Sequence, residues 1–82
     1  MQIGHVLFVD IVGYSKLLVN QQTELLSTLN EVVRNTEQFR AAETAEKLVA
    51  IPTGDGTALV FLTSPDAPVR CAIEINRTTL ES

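Results

Sequence analysis

The chain holds one cysteine, one histidine, one tyrosine and no tryptophan among its 82 residues. A single thiol excludes an internal disulfide framework. Cys71 also falls within an apolar helical pattern, so it is read as a buried free thiol. Six basic residues against ten acidic ones leave a net charge of −4, with no basic stripe able to neutralise a polymer of phosphates. No nucleic-acid partner is expected. No apolar run approaches the ~20 residues of a membrane span, and no basic region followed by a cleavage site opens the sequence. No membrane span is expected, and the expected compartment is cytoplasmic. What is present is globular in kind, with 45% apolar and 20% charged residues. A chain this short buries only ~60% of its unfolded surface and has a marginal core, so help from a partner chain is anticipated.

Hydrophobic patterning divides the chain into six segments. The continuous run Val6-Leu7-Phe8-Val9 offers apolar groups to both faces, which predicts a central strand over residues 3 to 11. From Ser15 to about Ala45, Leu18, Leu25, Leu29, Val32 and Phe39 recur at helical spacing, with polar residues opposite. The stripe lapses at Asn20 to Thr23, so two helices joined there are expected. Residues 47 to 51 and 57 to 62 read as strands joined through Pro52-Thr53-Gly54-Asp55-Gly56, a hairpin signature. Pro52 lacks an N–H and marks a strand end or an edge. A last helix is predicted to start at about Pro68, which disfavours helical dihedrals at Ala67. The order β-α-α-β-β-α is the α+β, ferredoxin-like arrangement, with an antiparallel hairpin beside a central strand and the helices on one face.

Two acidic residues stand out chemically. Asp10 ends the buried-type run, where an ionised side chain is costly unless a cation or several donors meet it. Asp55 sits in the hairpin turn between two glycines. Two hard oxygen ligands with room for water and phosphate suit Mg²⁺. Each also has a plain structural explanation. Asp-Gly is a common hairpin turn, and a strand-end Asp accepts bonds from a following helix start. Gly13 and Ser15 read equally well as an ordinary helix entry, Tyr14 as packing, and His5 as a structural or surface residue.

Phe8-Val9-Asp10-Ile11-Val12-Gly13-Tyr14-Ser15, an amphipathic helical region and then Gly54-Asp55-Gly56 in a hairpin together resemble the first half of a class III adenylate/guanylate cyclase catalytic domain. The resemblance covers nearly the whole chain and implies a single partial domain, since family domains continue beyond the point corresponding to Ser82. It implies that Asp10 and Asp55 bind two Mg²⁺ or Mn²⁺ ions, that the Ile11 backbone carbonyl adds a ligand, and that Val12, Gly13, Tyr14 and Ser15 cradle the phosphates of a nucleoside triphosphate. It also implies a homodimer, because family sites form between two domains, and an 82-residue piece inactive by itself. One departure is plain. Adenylate-forming members carry a purine-reading lysine where this chain has Ile51, and an aliphatic group cannot read a base by hydrogen bonding. Lys47 lies on the same strand face and is read as a solvated residue. The competing expectation is a non-catalytic cyclase-like module for dimerisation or signal relay. A diguanylate-cyclase or polymerase-type palm fits less well, because the hairpin lacks a paired acidic turn.

Overall fold

A computed structural model describes residues 3–81, with the side chains of 79–81 left aside. The chain runs β1 (His5–Asp10), a three-residue 3₁₀ turn (Tyr14–Lys16), α1 (Val19–Arg34), α2 (Glu37–Thr44), β2 (Leu48–Thr53), β3 (Gly56–Phe61) and α3 (Asp66–Glu81). The fold is α+β, with one antiparallel sheet and its helices on one side, as the ferredoxin-like order anticipates. Strand order is β1-β3-β2, and both outer strands run antiparallel to β3. β1 and β2 are therefore parallel, joined through α1 and α2, with β3 filling the gap between them: a split β-α-β unit. The shortest dimension, 18 Å, leaves room for one sheet and one helix layer.

Alternation along the strands decides which residues the helices cover. His5, Leu7 and Val9 of β1 share a face with Leu48 of β2 and with Thr57, Leu59 and Phe61 of β3. On this side Leu59 and Phe61 join Val33, Phe39, Ala42, Ala67 and Cys71 in the buried core, edged by Leu7, Val9, Leu29, Leu48 and Ile75. Each large apolar group buried there contributes roughly 1.5–3 kcal/mol. The opposite face carries Val6 (50% exposed), Phe8 (68%), Val49 (46%) and Ile51 (48%), around Ala58 and Val60. It is an apolar surface with no protein layer over it among the described residues.

That open face explains one difference from the sequence expectation. Among the described residues the middle strand is β3, and β1 lies at an edge. Apolar residues on both faces of β1 reflect one face in the core and one left open, not a central position. Pro52 does lie on an edge strand. Leu62 N–H donates to Lys47 C=O, so alternation turns the Pro52 nitrogen outward, where no ladder bond is lost.

The helical region also breaks elsewhere than expected. α1 runs unbroken through Asn20 to Thr23, and the stripe lapses there because its first turn is uncovered, with Leu18 and Val19 exposed. The joint falls at Asn35-Thr36. The Thr36 hydroxyl donates to Val33 C=O (2.8 Å) and accepts from Phe39 N–H (3.2 Å), ending one helix and capping the next. The Glu74 carboxylate from α3 accepts from the amides of Glu37 and Gln38 at 2.8 and 3.3 Å, which ties α2 to α3. α2 ends in a Schellman pattern, with Lys47 N–H donating to Ala42 C=O and Glu46 N–H to Glu43 C=O. Glu46 takes the left-handed conformation (φ 57°) that such an ending requires. α3 begins at Asp66, ahead of Pro68. Proline is tolerated in a first turn, where its missing N–H would have had no helical partner.

Candidate functional site

Asp10 closes β1 and stands opposite Gly56, the residue after Asp55. The chain just beyond Asp10 is tied to the hairpin directly, since Ile11 N–H donates to the Asp55 carbonyl at 2.9 Å. The two aspartates of the sequence reading are thus close along the backbone, Asp10 at the end of β1 and Asp55 in the turn that leads into β3. Both are exposed, and among the described residues neither carboxylate has an ion-pair or hydrogen-bond partner.

The close approach depends on Gly56. A Cβ at this position would collide with the Val9 carbonyl oxygen and lie 2.8 Å from the Asp10 Cα. Only a residue without a side chain lets β1 pass so near the hairpin. The two-residue loop Gly54-Asp55 itself has no left-handed residue, and nothing lies within 4 Å of a Cβ placed on Gly54. Sequence reading assigned the flanking glycines to turn chemistry. The structure assigns Gly56 to strand contact instead, a requirement visible only once β1 is paired with β3.

The loop after Asp10 turns at Gly13, whose φ of 73° suits glycine. Lys16 N–H then donates to Gly13 C=O (3.0 Å) and Leu17 N–H to Tyr14 C=O (3.1 Å), closing the 3₁₀ turn. Gln22 of α1 fastens this turn, its side-chain amide donating to Tyr14 C=O at 2.9 Å. Between the turn and the hairpin lies an open cavity of about 400 Å³, lined by Ile11, Gly13, Tyr14, Ser15, Gly54 and Asp55. Ile11, Gly13, Tyr14, Ser15 and Asp55 therefore meet at one concavity, whereas Asp10 is not among the residues that line it. Tyr14, read as packing, is part of its wall, while Val12 points away into solvent at 98% exposure.

Two features depart from the reading. The segment 12–15 leads into a three-residue turn and not into a long helix, since α1 starts only at Val19. A helix macrodipole is not available to an anion here, and only individual amides are. Ile51 lies on the open face of β2, opposite Ala58, which in turn pairs with Phe8. These three form an apolar row separate from the cavity lining. Lys47 is exposed immediately before β2, and His5 is half-buried on the helix side of β1.

Asp10, Asp55 and the Ile11 carbonyl would offer a metal oxygen donors alone, a chemistry that suits Mg²⁺ or Mn²⁺ better than a softer metal. No group of three or more His, Cys, Asp or Glu side chains gathers among the described residues. An ion held here would keep several positions for water or phosphate oxygens. Among the described residues no helix is long and apolar enough to cross a membrane. Comparison with protein-family models, curated proteins and solved structures finds no match to this chain.

Proposed function

We propose that the chain is part of a class III nucleotide cyclase domain, and that the cavity between the 3₁₀ turn and the hairpin receives the metal-bound phosphates of a nucleoside triphosphate. The observation that supports this reading is the junction of β1 and the hairpin, which brings the backbone at Asp10 and Ile11 against Asp55, itself part of the wall of the concavity that Ile11, Gly13, Tyr14 and Ser15 line. Asp10 and Asp55 hold up to two Mg²⁺ or Mn²⁺ ions, with the Ile11 carbonyl as a further oxygen ligand. Such ions supply charge neutralisation on the phosphates and activation of an attacking hydroxyl. The exposed backbone between Val12 and Ser15 offers N–H groups to phosphate oxygens, and Gly13 leaves its part of the loop without a side chain. In this family the ribose 3′ oxygen attacks the α-phosphate and pyrophosphate leaves. Ile51 donates no hydrogen bond, so base selectivity at that position is lost or arises elsewhere.

A second reading has its own observation. Val6, Phe8, Val49 and Ile51 leave an apolar face open. Exposed apolar surface of this kind supports a non-catalytic cyclase-like module that relays a signal by pairing with another copy. In either reading the expected assembly is a homodimer formed across that face or along the free edge of β1.

The test is turnover by the full-length gene product, with ATP and GTP and with Mg²⁺ or Mn²⁺. The enzyme reading expects cyclic nucleotide and pyrophosphate in equal amounts, abolished by Asp10→Asn and by Asp55→Asn with the fold intact. Dimers without turnover in either metal select the relay module.

A further inference from the structure

A second concavity lies on the helix-bearing side of the sheet, between α1 and the β2–β3 hairpin. Its volume is about 200 Å³, and it shares no lining residue with the cavity beside Asp55. It lies where α1 packs more on β3 than on β2. Ala50 and Pro52 therefore stay exposed, although alternation turns them toward the helices. Leu26, Asn30, Val33 and Arg34 fall on one stripe of α1 and form its roof, with Leu59 on the floor and Phe39 of α2 at one end.

The lining is mixed, with Asn30, Arg34 and Thr57 beside apolar Leu26, Ala50 and Pro52. Among the described residues the Arg34 guanidinium has no ion-pair or hydrogen-bond partner. Thr53 borders the slot at the end of β2, although alternation places its side chain on the other face, with Ile51.

We propose that this slot binds a small apolar carboxylic acid, its tail against Leu26, Ala50 and Pro52 and its carboxylate on Arg34. Size sets the class of tail. A cavity of about 150 Å³ lined by apolar side chains admits benzene, so this slot admits one six-membered ring or a short branched chain together with a carboxylate. Charge sets the head group. Arginine matches a carboxylate with two parallel donors, and among the described residues no acidic side chain is paired with Arg34. The proposal is independent of the nucleotide reading.

The probe is sodium benzoate, titrated into the ¹⁵N-labelled chain and followed by amide chemical shifts. Benzyl alcohol serves as the neutral isostere. Shifts confined to α1 residues 26–34 and hairpin residues 50–59 are expected. Arg34→Gln should weaken benzoate by tenfold or more, since it removes a charge-assisted hydrogen bond. Ala50→Leu should fill the slot and abolish binding while the spectrum stays dispersed. If that variant does not fold, Arg34→Gln decides alone. Absence of shifts at millimolar benzoate, equal binding of benzyl alcohol, or indifference to Arg34→Gln would each overturn the proposal.

Discussion

Replacing Gly56 by alanine tests whether strand contact, and not turn chemistry, fixes this glycine. The new methyl would meet the Val9 carbonyl and stand 2.8 Å from the Asp10 Cα, both of them backbone. Carbon atoms rest about 3.5–4.0 Å apart, so β1 must retreat from the hairpin by roughly 1 Å. The bond from Ile11 N–H to Asp55 C=O, now 2.9 Å, would stretch beyond hydrogen-bond range. Losing that bond and a neighbouring one costs about 2 kcal/mol. Residual crowding adds about 1–2 kcal/mol. A loss of about 3–4 kcal/mol is a large share of the roughly 5–10 kcal/mol available to a domain this small. It corresponds to a fall in Tm of about 12–30 °C. Urea unfolding followed by far-UV circular dichroism measures it, with Gly54→Ala as the control. Nothing lies near a Cβ at Gly54 and its φ is not left-handed, so that variant should change stability by less than about 1 kcal/mol. Equal stability of the two variants would refute the close-approach reasoning.

Glu46→Gly should stabilise the chain by about 0.5–1 kcal/mol, because glycine occupies the left-handed end of α2 without steric cost, and the same urea titration checks it. Burial raises the Cys71 thiol above its ordinary 9.0, the bond with Thr36 lowers it and nearby Glu74 raises it further, with burial dominant. The folded state thus retains a proton that the unfolded chain releases. This contribution to stability is full below about pH 9 and is lost as pH rises beyond it. Tm should fall more steeply above pH 9 in the wild type than in Cys71→Ala, and parallel profiles would count against a raised thiol. In the full-length gene product, Ile51→Lys should shift nucleotide preference toward ATP. Strong adenine selectivity in the wild type, lost on mutating Lys47, would show that the base is read from Lys47.

Element order and the αα-ββ-α succession were legible because they rest on local periodicity. The joint between α1 and α2 was not, since Thr36 acts through bonds to Val33 and Phe39 that no stripe of apolar residues records. The edge position of β1 was hidden for a different reason. A strand apolar on both faces looks the same whether it is covered twice or covered once and left open, and the exposure of Val6 and Phe8 is a tertiary fact. At the site, Asp10, Gly13 and Asp55 were found from their neighbours in sequence. The contact that unites them needs Gly56 beneath β1, and pairing register is not written in either segment alone. The slot under Arg34 left no sequence signal, because it depends on where α1 packs on the sheet.

The central claim is that Asp10 and Asp55 jointly hold a divalent ion beside the loop 11–15. Paramagnetic broadening by Mn²⁺, with a non-hydrolysable nucleoside triphosphate present, tests it most directly. The account predicts loss of amide signals at Asp10, Ile11, Gly13, Ser15 and Asp55 at substoichiometric metal, with signals retained in Asp10→Asn and in Asp55→Asn. Broadening spread over the acidic surface, or unchanged by both substitutions, would contradict it.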